Sequence, residues 1–136
     1  MNSAAQFKGF IYGETVIEWV GRELGTVFEP TQTRAIGFIV DGEINAGIVY
    51  TDWNRQSVIC HWAIRGRTSR KWLWYIHHYA FVELGVYKVI APIWSTNVRM
   101  LAIASKMGFM EEAILKGVQP DGDVSLFTMT AHQSRY

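Results

Sequence analysis

The sequence lacks the residues from which several common kinds of protein are built. It has a single cysteine, Cys60, so it cannot form an internal disulfide, and this usage fits a reducing cytosol. No apolar run reaches the length of a membrane span, and the N-terminal residues lack the apolar core of a signal peptide. We therefore expect a cytoplasmic protein that does not associate with membranes.

Charge is sparse and evenly balanced. The chain carries 13 Lys and Arg residues against 12 Asp and Glu residues, which gives a net charge of +1. Such a balance supplies no general attraction to nucleic acids or to anionic membranes. The sequence also lacks the Gly-x-x-x-x-Gly-Lys-Ser/Thr loop of nucleotide hydrolases and the Gly-x-Ser-x-Gly turn of common esterases. These absences argue against both classes of enzyme.

No group of residues has the spacing of a metal site. His77 and His78 are adjacent on a predicted helix, so their side chains point about 100° apart instead of along one face. Cys60 lies in an apolar strand pattern without a His or Asn partner pattern, which is typical of a core residue and not of a nucleophile. We expect neither a bound metal nor a cysteine mechanism.

Apolar residues are abundant in this chain. They make up 49% of it, and aromatic residues make up 14%, including six tryptophans, which is enough for a substantial hydrophobic core. We expect a single domain over residues 1–136. Most aromatic side chains are expected in that core, and the alternative is an exposed aromatic surface for a ligand or a partner.

Periodicity and turn residues predict helices and strands along the whole chain. Apolar residues repeat on one helical face over Glu14–Leu24, and Gly25 ends this helix. Asp41-Gly42 is a strong hairpin signal between two apolar strands. The predicted order is a weak strand at 7–12, a helix at 14–24, strands at 35–40, 44–50 and 57–64, a helix at 69–84, a strand at 88–94, a helix at 97–107, and strands at 112–118 and 124–130.

Residues 79–109 form the most informative segment. Gly85 ends one helix, Lys88–Trp94 is an apolar run typical of a strand covered on both faces, and Asn97 begins a helix that Gly108 ends. A helix between two strands of one sheet is a crossover connection, so Lys88–Trp94 should pair parallel with Ser57–Ile64. Functional groups of such units tend to lie at the carboxyl ends of the strands.

Several residues of this segment occur in a recognisable order: Tyr79-Ala80-Phe81, Glu83-Leu84-Gly85, Lys88, Ala91, Asn97, Lys106-Met107-Gly108-Phe109 and Glu112. In this order they resemble the second half of the GNAT superfamily of acetyl-CoA-dependent N-acetyltransferases. The sequence is most similar to the branch that acetylates ribosomal-protein N-termini and to small GNAT-like proteins of bacteriophages. The resemblance covers roughly residues 35–130. It implies a GNAT-like α/β (α+β) fold, with a mixed sheet of six to seven strands, mostly antiparallel with one central parallel pair, and three to four flanking helices.

The resemblance implies acetyl-CoA as co-substrate and a phosphate-binding loop before the 69–84 helix. Backbone N–H groups at a helix N-terminus can hold a pyrophosphate, and the four cations of residues 65–71 oppose the helix dipole unless an anion binds there. The family's usual glycine pair is incomplete here, and the alternative is a solvated basic turn. The residues expected to bind the pyrophosphate are Arg65, Gly66, Arg67, Thr68, Ser69 and Arg70, with Lys71 beside them. The backbone of Trp62, Ala63 and Ile64 is expected around the thioester oxygen. Asn97 is expected to contact the pantetheine arm.

The acid that would protonate the departing CoA thiolate differs from the family's usual one. The family often has a tyrosine seven positions after the asparagine that matches Asn97, and this sequence has Ala104 there. Ser105 is adjacent and could hold a water for this step. The alternative is that Ser105 is an uninvolved residue on the helix surface.

A base must remove a proton from the attacking amine. His61 is the first candidate, because a histidine with an ordinary pKa suits proton transfer near neutral pH. A hydrogen-bonded structural histidine is the alternative reading. Glu112 is the second candidate, and Glu43, Asp52 and Glu111 remain further options.

The sequence leaves three functions in competition. The first is transfer of an acetyl group to an amine, which could be a protein N-terminus, a lysine or a small molecule. The second is a non-catalytic CoA-binding or protein-interaction module. The third, least favoured, is single-stranded nucleic-acid binding through the basic loop and nearby aromatic residues. A homodimer is left open. The expected acceptor walls are Trp19, Phe28, Tyr50, Trp53, Trp94 and the 117–123 turn, with Asp121 and Asp123 as an acidic lip.

Overall fold

Seven strands form one mixed sheet within residues 8–136, which are the residues that the computed structural model describes. No helix in this range is both long enough and apolar enough to cross a membrane. The elements are β1 (Lys8–Tyr12), α1 (Glu14–Leu24), β2 (Arg34–Val40), β3 (Glu43–Thr51), β4 (Ser57–Ile64), α2 (Arg70–His78), β5 (Lys88–Trp94), α3 (Val98–Met107), β6 (Met110–Gln119) and β7 (Gly122–Thr130), with a short 3₁₀ turn at Pro30–Gln32.

The strand order is β1-β2-β3-β4-β5-β7-β6. The β4–β5 pair is parallel, and its three residue pairs run from Ser57 opposite Lys88 to Ile59 opposite Ile90. The other described pairs are antiparallel. The predicted fold class and the predicted parallel pair are therefore confirmed. The weak first strand is present as β1, although Phe7, which the prediction included, lies outside the described residues.

The chain divides into two compact units. One comprises the described residues up to Thr51 together with His61–Ile76, and we call it unit 1. Unit 2 comprises Asp52–Cys60 and His77–Tyr136. The single domain expected over residues 1–136 stays a prediction.

In unit 1, helix α1 packs closely on strands β2 and β3. Its apolar face contributes Val16 and Val20, which are fully buried. Gly37 and Gly47 lie opposite each other in the two strands, where an added Cβ would come within 2.9 Å of Val16 and 2.7 Å of Val20. The two glycines therefore supply the space that lets the helix approach the strands.

In unit 2, helix α3 has clear signals at both ends. The Asn97 side chain accepts a hydrogen bond from the Met100 N–H at 3.2 Å and caps the helix. Gly108 ends it in a left-handed conformation with φ of 111°, which glycine adopts without strain. Phe109 follows and is only 4% exposed. The predicted structural roles of Asn97, Gly108 and Phe109 are confirmed.

Three details of the elements differ from the prediction. The 69–84 helix is α-helical only over Arg70–His78 and continues as a π-helical turn over Tyr79–Glu83. Strand β5 buries only alternate residues, so it is not covered equally on both faces. Strand β3 instead has five consecutive buried residues, where simple alternation was expected. Burial in a strand depends on what packs against each face. The sequence pattern predicted burial on both faces for β5 and alternate burial for β3, and the structure shows the reverse.

Candidate active site

Helix α2 begins at a serine cap in unit 1. The Ser69 hydroxyl accepts a hydrogen bond from the Trp72 N–H at 3.0 Å, and its carbonyl accepts one from the Leu73 N–H at 3.0 Å. Ser69 is therefore the residue that caps α2. This cap fixes the direction in which the first N–H groups of the helix point.

The 65–71 loop has backbone donors of two kinds. The N–H groups of Arg65 and Gly66 both donate to the Asn45 carbonyl, at 2.7 and 3.4 Å. Among the described residues, the N–H groups of Arg67, Thr68 and Ser69 donate to no acceptor. The second half of the loop therefore has backbone donors available for an anion at the start of α2.

The cations of the loop divide in the same way. The Arg65 Nε donates to Glu23 of α1 at 2.7 Å, and this hydrogen bond raises the pKa of the Arg65 guanidinium above its ordinary value. Arg67, Arg70 and Lys71 are exposed and form no ion pair within residues 8–136. Arg65 thus ties the loop to α1, and three cations remain free for a ligand.

His61 lies on β4 between two buried side chains. Cys60 and Trp62 are 1% and 3% exposed, and His61 is half-buried with its imidazole 5.3 Å from the Phe28 ring centroid. Burial raises the pKa of the Cys60 thiol, which disfavours the thiolate that a nucleophile requires. Ala63 is also buried and Ile64 is half-buried. Strand β4 therefore presents His61 as its titratable residue.

A cavity of about 180 Å³ lies beside Phe28 in unit 1. Sequence reasoning named Phe28 as a wall of an acceptor site but did not predict this cavity. The sequence feature that could have indicated it is Gly21, because a glycine in the interior of a helix often allows another part of the chain to approach closely. An added Cβ at Gly21 would lie 2.6 Å from the Thr26 carbonyl oxygen. The lining residues are Ile17, Glu18, Gly21, Arg22, Thr26, Val27, Phe28 and Pro30.

The candidate residues on α3 of unit 2 have structural contacts. Ala104 is fully buried, so a tyrosine in its place would overpack the core. The Ser105 side chain is exposed, and its hydroxyl donates to the Leu101 carbonyl at 3.3 Å, one turn earlier in the helix. This bond matches the reading of Ser105 as a residue of the helix surface. The Asn97 oxygen is occupied by its capping bond.

Glu112 is held by two donors in unit 2. Its Oε1 accepts hydrogen bonds from the Thr128 hydroxyl at 2.7 Å and from the Lys88 Nζ at 2.9 Å. These bonds, that of Thr128 first, lower the pKa of the Glu112 carboxyl. Glu111 accepts a hydrogen bond from the Ser125 hydroxyl at 2.7 Å. A carboxylate with a lowered pKa is a poor proton acceptor, so these contacts favour His61 over Glu112 as the base.

The expected aromatic walls have different surroundings. Tyr50 is only 3% exposed and its hydroxyl donates to the Ile76 carbonyl at 2.6 Å, so its assignment as an acceptor wall is wrong. Trp19 is half-buried and packs on the core of unit 1. Trp53 and Trp94 are 49% and 54% exposed. Trp53 donates from its indole N–H to a backbone carbonyl, and the two residues remain accessible to a partner molecule.

Comparison with known proteins shows what class of fold this is. No family model matches the chain, and no curated protein matches it in sequence. Solved structures do match. Spermidine/spermine N-acetyltransferase SpeG from Vibrio cholerae aligns with a TM-score of 0.71 at 13% identity, over 90% of this chain and 92% of that chain. The putative acetyltransferase yncA from Salmonella typhimurium, solved with acetyl-CoA, aligns with a TM-score of 0.68 at 14% identity, over 90% of this chain and 93% of that chain.

A third match has the higher identity of 20%. It is RimJ from Mycobacterium smegmatis in complex with CoA-disulfide, with a TM-score of 0.62 over 77% of this chain and 56% of that chain. At such identities the likeness defines the fold, which is that of the GNAT acetyltransferases. Activity must be argued from the residues of the chain itself.

Proposed function

We propose that the protein is an N-acetyltransferase that moves the acetyl group of acetyl-CoA to an amine. The observation that carries the proposal is the second half of the 65–71 loop. It combines three unused backbone N–H groups with three free cations at the capped start of α2. Backbone donors, cations and a helix N-terminus together suit a pyrophosphate. The GNAT fold and the acetyl-CoA bound to one structural neighbour support the same ligand.

The reaction requires one bond to form and one to break. The amine nitrogen attacks the carbonyl carbon of the thioester, the new N–C bond forms, and the C–S bond breaks to release the CoA thiolate. We assign the removal of the ammonium proton to His61, and the stabilisation of the carbonyl oxygen to backbone N–H groups of Trp62, Ala63 and Ile64. Ser105 or solvent would return a proton to the thiolate.

The acceptor follows from less specific arguments. The structural neighbours include a polyamine acetyltransferase and RimJ. The resemblance of residues 79–109 to the ribosomal-protein branch favours a protein N-terminus. The structural likeness to a spermidine/spermine N-acetyltransferase favours a small amine. We retain a primary amine as the acceptor class.

Calorimetry with acetyl-CoA, followed by transfer assays with a peptide and a polyamine panel, tests the proposal. The wild-type protein should bind acetyl-CoA and release free CoA only when an amine is present. His61→Ala should depress transfer most strongly near neutral pH and leave acetyl-CoA affinity intact. His132→Ala, at an exposed position, is the matched control. Equal activity of His61→Ala and wild type across roughly pH 5 to 8, where histidines ordinarily change charge, would remove His61 from the mechanism.

Asn97 requires a separate experiment because its cap and its expected contact with the pantetheine arm overlap. Asn97→Ser retains a capping oxygen and loses the amide nitrogen, whereas Asn97→Ala loses both. We expect Asn97→Ser to preserve the melting temperature and to weaken acetyl-CoA binding. Unchanged binding in Asn97→Ser would leave Asn97 with its cap alone.

The same assays separate the other functions. Tight acetyl-CoA binding without transfer to any amine would indicate a non-catalytic module. The nucleic-acid alternative relied on Trp62, Trp72, Trp74 and Tyr75. Trp62 and Trp72 are 3% and 0% exposed and cannot stack on bases, whereas Trp74 is 50% exposed, so this alternative loses half of its aromatic residues.

A further inference from the structure

The turn of the β6–β7 hairpin is bonded directly to the residues that follow β5. The Ser95 N–H donates to the Asp123 carbonyl at 2.9 Å, and the Asp123 N–H donates to the Ser95 hydroxyl at 3.0 Å. The two residues thus exchange two hydrogen bonds at the carboxyl end of β5. All of these residues belong to unit 2.

The Asp123 side chain also holds the opposite strand of the hairpin. Its Oδ1 accepts a hydrogen bond from the Gly117 N–H at 2.9 Å, and its Oδ2 lies 3.8 Å from the Lys116 Nζ. The regular register of β6 with β7 is interrupted between Leu115 and Gln119. Asp123 therefore supplies, from one side chain, contacts that the strand ladder does not supply at this point. Asp123, which was expected as part of an acidic lip, thus has structural contacts within the hairpin.

Gly122 shows how closely the turn fits against Ser95. An added Cβ at Gly122 would lie 2.7 Å from the Ser95 hydroxyl oxygen, which is closer than atoms normally approach. The backbone of Gly122 is not in the left-handed region, so the restriction is one of space alone. A larger residue at position 122 would displace the Ser95 hydroxyl and so disturb the hydrogen bond that it accepts from the Asp123 N–H.

Two exposed residues flank these contacts along the chain. Trp94 precedes Ser95 and pairs with Val124 of β7, and Asp121 lies in the turn two residues before Asp123. Within the described residues, the Asp121 carboxylate makes no hydrogen bond or ion pair. An aromatic ring and a free carboxylate are the two groups that attract an ammonium ion.

We propose that Asp123 is a positioning residue, which fixes the hairpin on Ser95 so that Asp121 and Trp94 together recognise a positively charged acceptor. The inference rests on the proposed acetyl transfer and specifies its acceptor as an amine that carries at least one further positive charge. Asp123 acts through the hairpin, and Asp121 and Trp94 make the contact.

Spermidine, which carries several positive charges, is the probe, and phenethylamine, with a single amine, is the comparison. Spermidine affinity is measured by calorimetry in the presence of CoA, and KM and kcat are measured for both amines. Asp123→Ala should weaken spermidine binding about ten-fold, raise its KM similarly, and leave kcat within about two-fold. Asp123→Asn keeps an oxygen for the Gly117 N–H and should restore most of the affinity. Asp121→Ala should weaken spermidine binding and leave phenethylamine unaffected.

Hydrogen exchange measures the hairpin without reference to catalysis. Asp123→Ala should accelerate exchange of the Gly117 and Asp123 amides. Gly122→Ala should accelerate exchange of the Gly117 amide in the wild-type background and do so less in a Ser95→Ala background, where the clashing oxygen is absent. The Asp123 amide is not compared in that background, because Ser95→Ala removes its acceptor. Faster exchange with unchanged spermidine affinity would overturn the positioning role, and so would a wild type that does not bind spermidine. A wild type that binds spermidine but transfers no acetyl group would reject the proposed function and retain the recognition surface.

Discussion

The 65–71 loop and the 116–123 hairpin are both polar surface segments with charged residues and glycine, yet their polar groups are used differently. In the hairpin, Asp123 bonds both to the residues after β5 and to β6. In the loop, three cations and three backbone N–H groups have no partner among the described residues. Polar groups that have hydrogen-bond partners within the protein stabilise its fold. Cations and N–H groups without such partners, clustered at a helix N-terminus, favour the binding of an anion. We therefore interpret Asp123 as a structural residue of the hairpin and propose the second half of the 65–71 loop as a binding segment.

The largest expected effect tests the binding loop. Arg67→Ala combined with Arg70→Ala should weaken acetyl-CoA binding by about ten- to a hundred-fold, because each lost charge-assisted hydrogen bond contributes substantially to affinity. The salt dependence of binding should also fall, and the unfolding midpoint should stay near that of wild type. Arg34→Ala, another exposed arginine of unit 1, is the control. Unchanged affinity in calorimetry would place the cofactor elsewhere.

The next effect separates the helix cap from the ligand. Ser69→Ala removes the oxygen that accepts the Trp72 N–H and should destabilise the protein by about 1 kcal/mol. Ser69→Asp keeps an acceptor and adds a negative charge, so it should preserve stability and reduce acetyl-CoA affinity. Denaturant titration and calorimetry measure the two quantities. Undiminished affinity in Ser69→Asp would argue against an anion at this helix end.

A smaller effect is expected at the one loop cation with a structural partner. Arg65→Ala should weaken acetyl-CoA binding less than Arg67→Ala, because the Arg65 Nε is bonded to Glu23. The Arg65 side chain is 68% exposed and that of Glu23 is 22% exposed, so the unfolding midpoint should fall only slightly. Glu23→Ala should resemble Arg65→Ala in stability. If Arg65→Ala has the larger effect on binding, Arg65 contacts the ligand and the division of the loop is wrong.

The smallest effect concerns the strand that leads into the hairpin. The lowered pKa of Glu112 means that folding stabilises its ionised form, so this contribution is present above the ordinary glutamate pKa of about 4.3 and is lost as the pH falls through the lower folded value. Wild type should therefore exceed Glu112→Gln in stability at neutral pH, and the difference should vanish in acid. Acetyl-CoA binding should not change. A difference that grows on acidification would contradict the assigned contacts.

Much of the fold could be predicted from local sequence signals. The bounds of Glu14–Leu24, Ser57–Ile64 and Lys88–Trp94 agree residue for residue, because turn residues and glycines delimit them. The helix cap at Asn97 was predictable for the same reason. Local signals are enough to predict the bounds of a helix or strand when a turn residue, a glycine or a cap lies at each end of it.

The state of the site residues could not be predicted in the same way. Arg65 and its partner Glu23 are 42 positions apart, and Glu112 depends on both Lys88 and Thr128. Tyr50 reads as an accessible aromatic residue until its hydroxyl is found bonded to the Ile76 carbonyl. Whether a polar group has a hydrogen-bond partner depends on residues that are distant in sequence. The identity of the residue alone does not predict those partners.

The π-helical turn at Tyr79–Glu83 has a consequence for how such sequences can be compared. The Leu84 N–H donates to the Tyr79 carbonyl at 2.8 Å, five residues back, so this turn holds one residue more than an α-helical turn. A related chain whose helix is α-helical throughout would need a one-residue gap within this stretch to align on both sides of it. Without that gap, an alignment anchored after the turn, on Leu84-Gly85, would displace the 65–71 loop by one position. Deleting one residue from Tyr79–Glu83 would test this directly: the turn should become α-helical, and the residues on either side of it should keep their helical faces.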